Sequence, residues 1–152
     1  MTQVRSIDKP NSEEEIHSVL HPIVSEWFKQ KFKTFAESQK YLIVPIEKRK
    51  NVLLSSPTGS GKTLSAFASI LSYLIDLSEK GKLENKIYAV YSSPLKALSR
   101  DIEFNLKQPL IEMEELAGKK FGIRIGLRTG DTTTAERTKM LKNPPHVLIT
   151  TP

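Results

Sequence analysis

Asn51-Val52-Leu53-Leu54-Ser55-Ser56-Pro57-Thr58-Gly59-Ser60-Gly61-Lys62-Thr63 is the stretch on which the fold turns. Its first five residues form a short apolar run of strand type, preceded by Glu47-Lys48-Arg49-Lys50. After Lys62 the apolar residues Leu64, Phe67, Ala68, Leu71, Leu74 and Ile75 recur at helical spacing, which predicts a helix with one packed face. Between strand and helix, Gly59 and Gly61 let the backbone wrap closely around an anion. The helix beginning near Gly61 aims unpaired N–H groups and the positive end of its dipole at the same place. Ser56, Thr58, Gly59, Ser60, Gly61, Lys62 and Thr63 thus form a candidate triphosphate cradle. Lys62 can reach the β and γ phosphates, and the Thr63 hydroxyl can ligate the Mg²⁺ that bridges them.

The rest of the chain supports a layered architecture. Ile87 to Tyr91, Ile123 to Leu127 and His146 to Thr150 read as further strands. They are separated by a long helical stretch from Leu95, which Pro109 should interrupt or restart and Gly118 close, and by a helix over Ala135 to Leu141. Gly81 suits the C-terminal cap of the helix that follows Lys62. Strands alternating with helices of this length predict an α/β fold, a parallel sheet with helices on both faces.

Upstream, a lead-in ends at Ser12, which with Glu13 to Glu15 starts a short helix carrying Ile16, Val19 and Leu20 on one face. Pro22 opens a second helix with Ile23, Trp27 and Phe28 as its apolar stripe. Lys40 to Lys48 reads as a third. The expected organisation is 1–31 for the lead-in and first helices and 32–152 for the nucleotide-binding part.

Composition narrows the function classes. The 152 residues carry 23 Lys plus Arg against 17 Asp plus Glu, a formal net charge of +6 that favours a polyanionic partner. Cysteine is absent, so there are no disulfides or thiolate metal sites. His17, His21 and His146 have no ligand spacing and read as surface or cap residues. No segment is apolar enough for a signal peptide or membrane span, and a cytoplasmic protein is expected.

The surroundings of the loop add specificity. Phe35-Ala36-Glu37-Ser38-Gln39 ends in an amide that can both donate to and accept from an adenine edge. Ser92-Ser93-Pro94-Leu95-Lys96-Ala97-Leu98 lies at a strand's C-terminal end, where open α/β sheets bind ligands. Together these residues resemble the superfamily 2 helicases of DEAD/DEAH-box type. Gln39 resembles the Q motif, SSPTGSGKT motif I, PLKAL motif Ia, Arg128-Thr129-Gly130-Asp131-Thr132 motif Ib, and Leu148 to Pro152 the start of the TPE motif. With His21-Pro22 and Glu26-Trp27-Phe28, the order and spacing resemble the large helicase-related (Lhr) family of ATP-dependent DNA helicases, from about His17 to Pro152. Ala36 departs from that pattern, which has Thr or Ser three residues before the glutamine.

The resemblance implies a P-loop NTPase of RecA-like type, truncated on its C-terminal side, with ATP and Mg²⁺ as cofactors. It implies that Gln39 contacts adenine, and that Pro94, Lys96, Arg128, Thr129, Gly130 and Thr151 face one nucleic-acid strand, DNA in preference to RNA. Hydroxyls, backbone amides and a cation suit phosphodiester contacts that read no bases. ATP hydrolysis in this family further needs the Asp-Glu pair of motif II and arginines of a second RecA-like domain, and neither lies within these residues. Asp101 and Glu103, and Glu112 to Glu115, read instead as the solvated face of a helix. Without strands that follow motif II, Val52 to Leu54 should lack sheet neighbours. Two readings stand at this point: the ATP-binding segment of a helicase, or a stand-alone nucleotide or nucleic-acid binding module. An Asp-Glu box in the coding sequence past Pro152 would separate them.

Overall fold

The computed structural model describes residues 3–94 and 96–152; Met1, Thr2, Leu95 and the side chains of residues 95–100 lie outside that description. Two compact units divide the chain, Met1–Tyr73 and Leu74–Pro152.

The first unit holds α1 (Glu13–Val19), α2 (Pro22–Lys31), α3 (Glu37–Glu47) and the beginning of α4 (Lys62–Glu79). Each start has a local cause. Ser12 Oγ accepts from Glu15 N at 3.2 Å while the Glu15 carboxylate accepts from Ser12 N at 3.0 Å, a reciprocal cap. Pro22 occupies the first turn of α2, and the His21 ring caps it by accepting from Ile23 N. Ile16, Val24, Trp27, Phe28, Phe35 and Ile43 are buried. Val24 rather than Ile23 completes the packed face of α2.

The expected strand over Asn51 to Ser55 is not formed. These residues carry no regular structure, and Leu53 is 98% exposed. A strand is defined by its ladder, and the strands among the described residues pair only with one another.

Glu47, the last residue of α3, is half-buried beside Ser69 and Ser72 of α4. Burial pushes its carboxyl up to about 7, against the lowering influence of the Ser72 hydroxyl, the Arg49 charge and the Ser69 hydroxyl. The folded chain therefore holds a proton that the unfolded chain, near 4.5, has released. Stability contributed by this group is full below the lower value and is lost as pH rises towards the upper one. Glu47→Gln is expected to raise the urea midpoint at pH 8 and to leave it near the parent value at pH 4.5. Equal midpoints at pH 8 would contradict this account.

The second unit contains the rest of α4, β1 (Ala89–Ser92), α5 (Lys96–Ala117), β2 (Ile125–Arg128), α6 (Thr134–Lys142) and β3 (Val147–Thr150). The strands form a parallel sheet in the order β1-β3-β2. Val147 and Ile149 of the central strand are fully buried. Gly81 (φ +65°) and Gly118 (φ +67°) end α4 and α5 in the left-handed conformation. The paired bonds Lys82 N to Leu77 O and Gly81 N to Ser78 O, and Lys119 N to Glu114 O and Gly118 N to Glu115 O, close those helices.

Three expectations are corrected in this unit. Pro109 does not interrupt α5, which runs unbroken for 22 residues. Asn105, whose carbonyl loses its helical partner to the proline, is an exposed residue, while the proline itself is buried. Glu114 is not on a solvated face: its carboxylate accepts from Phe121 N at 3.0 Å and from Lys120 Nζ at 2.8 Å. His146 is neither a surface nor a cap residue but is 2% exposed. Its Nδ1 accepts from Arg124 N at 2.9 Å, so the proton of the neutral ring sits on Nε2. Burial, with the Arg124 charge second, holds its pKa below the usual histidine value.

Candidate nucleotide and nucleic-acid site

The phosphate loop lies in the first unit, between the irregular residues 51–55 and the N-terminus of the 18-residue α4. Gly59 (φ +78°) and Gly61 (φ +83°) both adopt the left-handed conformation that a loop of this curvature requires. Lys62 Nζ reaches back across the loop and donates to the Ser56 carbonyl at 2.7 Å. Ser56 Oγ and Ser60 Oγ lie 2.7 Å apart, joining the two ends of the turn. The loop's ammonium is thus held at the loop, with two further N–H donors for a phosphate oxygen. Thr63 follows at the second position of α4 and is half-buried.

A single glycine accounts for how closely α3 approaches. A Cβ at Gly61 would stand 2.9 Å from Gln39 Nε2 and 3.2 Å from Ala36 Cβ. Gln39, 5% exposed, is turned inward. Its Oε1 accepts from Ala36 N at 2.8 Å, and its Nε2 lies 3.5 Å from the Gly61 carbonyl. Ala36 has no hydroxyl to accept from the Gln39 N–H, whereas the Gln39 amide oxygen accepts from the Ala36 N–H, the other half of a capping box. Each end of that amide retains capacity for a second hydrogen bond.

In the second unit the parallel register brings the remaining candidates to one end of the sheet. Thr150 pairs with Ser92 on one side and with Arg128 on the other. Ser93 N donates to the Thr150 carbonyl at 3.0 Å. Pro94, Arg128, Thr129, Gly130 and Thr151 therefore all leave the carboxyl ends of adjacent strands. Arg128, Gly130 and Pro94 are exposed, Thr129 and Thr151 half-buried. Leu95 and the Lys96 side chain lie outside the described residues.

The turn after β2 is internally braced. Thr129 N donates to Thr132 Oγ1 at 2.8 Å, and Asp131 N to Thr129 Oγ1 at 3.3 Å. Arg137 of α6 donates to the carbonyls of Thr132 at 3.1 Å and Thr129 at 3.3 Å. Sequence reading missed Arg137, as it missed Ser38, whose hydroxyl donates to the Ser60 carbonyl of the phosphate loop. No spacing rule marks either residue, since each acts on a backbone carbonyl brought near by the fold. Among the described residues no group of three or more His, Cys, Asp or Glu side chains could hold a metal ion. None of their helices is long and apolar enough to cross a membrane.

The family profile described as DEAD/DEAH box helicase matches residues 36–152. The ATP-dependent helicase Lhr-Core of Methanothermobacter thermautotrophicus is 57% identical over 141 residues, 91% of this chain and 16% of that protein. Lhr-Core of Methanocaldococcus jannaschii is 52% identical over 157 aligned positions, 100% of this chain and 18% of that protein. Among solved structures, the Mycobacterium smegmatis helicase Lhr bound to ssDNA and AMP-PNP superposes with a TM-score of 0.78 at 36% identity, covering 90% of this chain and 17% of that one. The chain thus spans only a small part of the length of the relatives it matches.

Proposed function

Because this chain belongs to the DEAD/DEAH box helicases, we propose that it is the ATP-binding segment of an Lhr-like helicase that acts on DNA, working with later segments of a longer protein. The observation that carries the reading is the loop itself. Two left-handed glycines and an ammonium tied across the turn stand at the N-terminus of a long helix. That arrangement suits a triphosphate by charge and by its supply of N–H donors. Ser56, Thr58, Gly59, Ser60, Gly61 and Lys62 would hold the phosphates, and Gln39 would use its remaining hydrogen-bonding capacity on adenine. Thr63 would supply one hydroxyl ligand to a Mg²⁺ ion delivered with the nucleotide. The metal, when bound, would neutralise charge on the β and γ phosphates. Residues 1–31 would precede this nucleotide-binding part, a division that the profile's start at residue 36 supports.

A nucleic-acid strand would run along the carboxyl ends of β1, β3 and β2, touching Pro94, Lys96, Arg128, Thr129, Gly130 and Thr151. The shared register of Ser92, Thr150 and Arg128 supports this, as does the ssDNA in the M. smegmatis relative. Contacts of this kind go to phosphates and release counterions, so binding should be weak, indifferent to sequence and steeply weakened by salt. Fluorescence anisotropy with a labelled single strand is expected to show affinity falling about tenfold or more between 50 and 200 mM salt. Arg128→Ala should flatten that slope by about one unit on a log–log plot. Affinity that survives high salt unchanged would overturn the proposed interface.

A further inference from the structure

Beyond the residues of the loop, two neighbouring side chains at the start of α3 grip its backbone. Ser38 Oγ donates to the Ser60 carbonyl, and Gln39 Nε2 approaches the Gly61 carbonyl at 3.5 Å. Both side chains are 5% exposed and sit in the first turn of a helix, so their positions are set by packing. The two carbonyls belong to consecutive peptide units whose N–H groups are those of Gly61 and Lys62. In a planar trans peptide the oxygen and the hydrogen point to opposite sides. Fixing the oxygens towards α3 therefore fixes both N–H groups away from it.

The two contacts are unequal. The Gly61 carbonyl also accepts from Ser65 N at 3.1 Å and from Ser65 Oγ at 3.1 Å, so its peptide plane is held by α4 whether or not Gln39 contributes. The Ser60 peptide precedes α4 and lies between two glycines whose backbones have wide conformational freedom. A hydroxyl anchored in another helix is what restrains it. We propose that Ser38 is a positioning residue for polyphosphate: it sets the 60–61 peptide plane so that the Gly61 N–H is presented to the nucleotide's phosphates. This rests on the nucleotide-binding reading above and assigns a role that the loop motif does not contain.

The effect belongs to the phosphate moiety, which separates it from adenine recognition, and a thermal melt showing each variant folded at the assay temperature separates it from general destabilisation. The test uses the full-length protein and measures dissociation constants for Mg·ATP and for Mg·tripolyphosphate, which has no base or ribose. Ser38→Ala is expected to weaken both ligands by the same factor, about fivefold, the scale of one net hydrogen bond. Lys62→Ala serves as the reference for the loop itself. If Lys62→Ala abolishes binding while Ser38→Ala leaves both affinities unchanged, the inference is overturned and the nucleotide site stands. Weakening of ATP without weakening of tripolyphosphate also overturns it, because the damage then lies on the adenine side. If Lys62→Ala leaves binding intact, the nucleotide reading fails and this inference fails with it.

Discussion

Residues 1–152 alone are expected to release phosphate from ATP no faster than the uncatalysed background. The loop can bind and orient the β and γ phosphates through Gly59, Gly61 and Lys62. Orientation without a carboxylate to align water and a cation to meet the developing charge leaves the transition state nearly unaided. Loss of a stabilising arginine alone costs on the order of a thousandfold in phosphoryl transfer, and the water-positioning carboxylate is a separate loss. Glu114 of α5 does not substitute for it, since its carboxylate is committed to Phe121 N and Lys120. A longer chain that carries an Asp-Glu box and a second RecA-like domain should regain nucleic-acid-stimulated turnover. Adding the box alone should give little. A steady-state phosphate-release assay on the three lengths checks this. Robust turnover by residues 1–152 that disappears in Lys62→Ala would show that the reaction's machinery has been misplaced.

The parts of the fold that were legible in the sequence are those with local causes. The period of Phe67, Ala68, Leu71, Leu74 and Ile75 needs no partner to be recognised, and all five are buried. Gly59 and Gly61 announce left-handed backbone, and both adopt it. The three formed strands were placed to within a few residues, because β-type apolar runs between turn signals are short-range patterns. What could not be read depends on contacts distant in sequence. Asn51 to Ser55 has the composition of a strand, but a ladder requires a second chain segment beside it, and only the helicase resemblance, not the local pattern, implied that Val52 to Leu54 lack one. Pro109 removes one helical hydrogen bond and crowds the preceding turn, and only the fold shows that α5 continues through it with Asn105 exposed.

The candidate site divides in the same way. Its phosphate loop was visible because residue type, order and position before a helix all point to one ligand class. The Gln39 amide, expected at an adenine edge, also accepts from Ala36 N at the start of α3 and approaches the Gly61 carbonyl of the phosphate loop, contacts that no spacing in the sequence announces. Ala36, a departure from the helicase pattern, leaves α3 with no side-chain hydroxyl to accept from Gln39 N, while the Gln39 amide oxygen still accepts from Ala36 N. Ser38 and Arg137 hold carbonyls 22 and 5 to 8 residues away, and a hydroxyl or guanidinium carries no sequence mark of which carbonyl it will meet.

The nucleotide reading of this chain depends on Lys62 meeting a triphosphate. Its ammonium is the cation of the loop and is held across it at 2.7 Å from the Ser56 carbonyl. Charge-assisted hydrogen bonds contribute about 1.5–3 kcal/mol each, so losing two of them to phosphate oxygens exceeds about a hundredfold in affinity. The substitution also removes the brace between Lys62 and Ser56, which acts in the same direction. Lys62→Arg should restore little, because a planar fork cannot take the place of a compact ammonium within so tight a turn. The direct measurement is a calorimetric titration of Mg·ATP into residues 1–152 and into the Lys62→Ala variant, with circular dichroism to show that α4 is retained. A saturable binding heat in the parent chain, reduced at least about a hundredfold in the variant, is the predicted result. Equal affinity in the two chains would contradict the assignment of this loop as the nucleotide site.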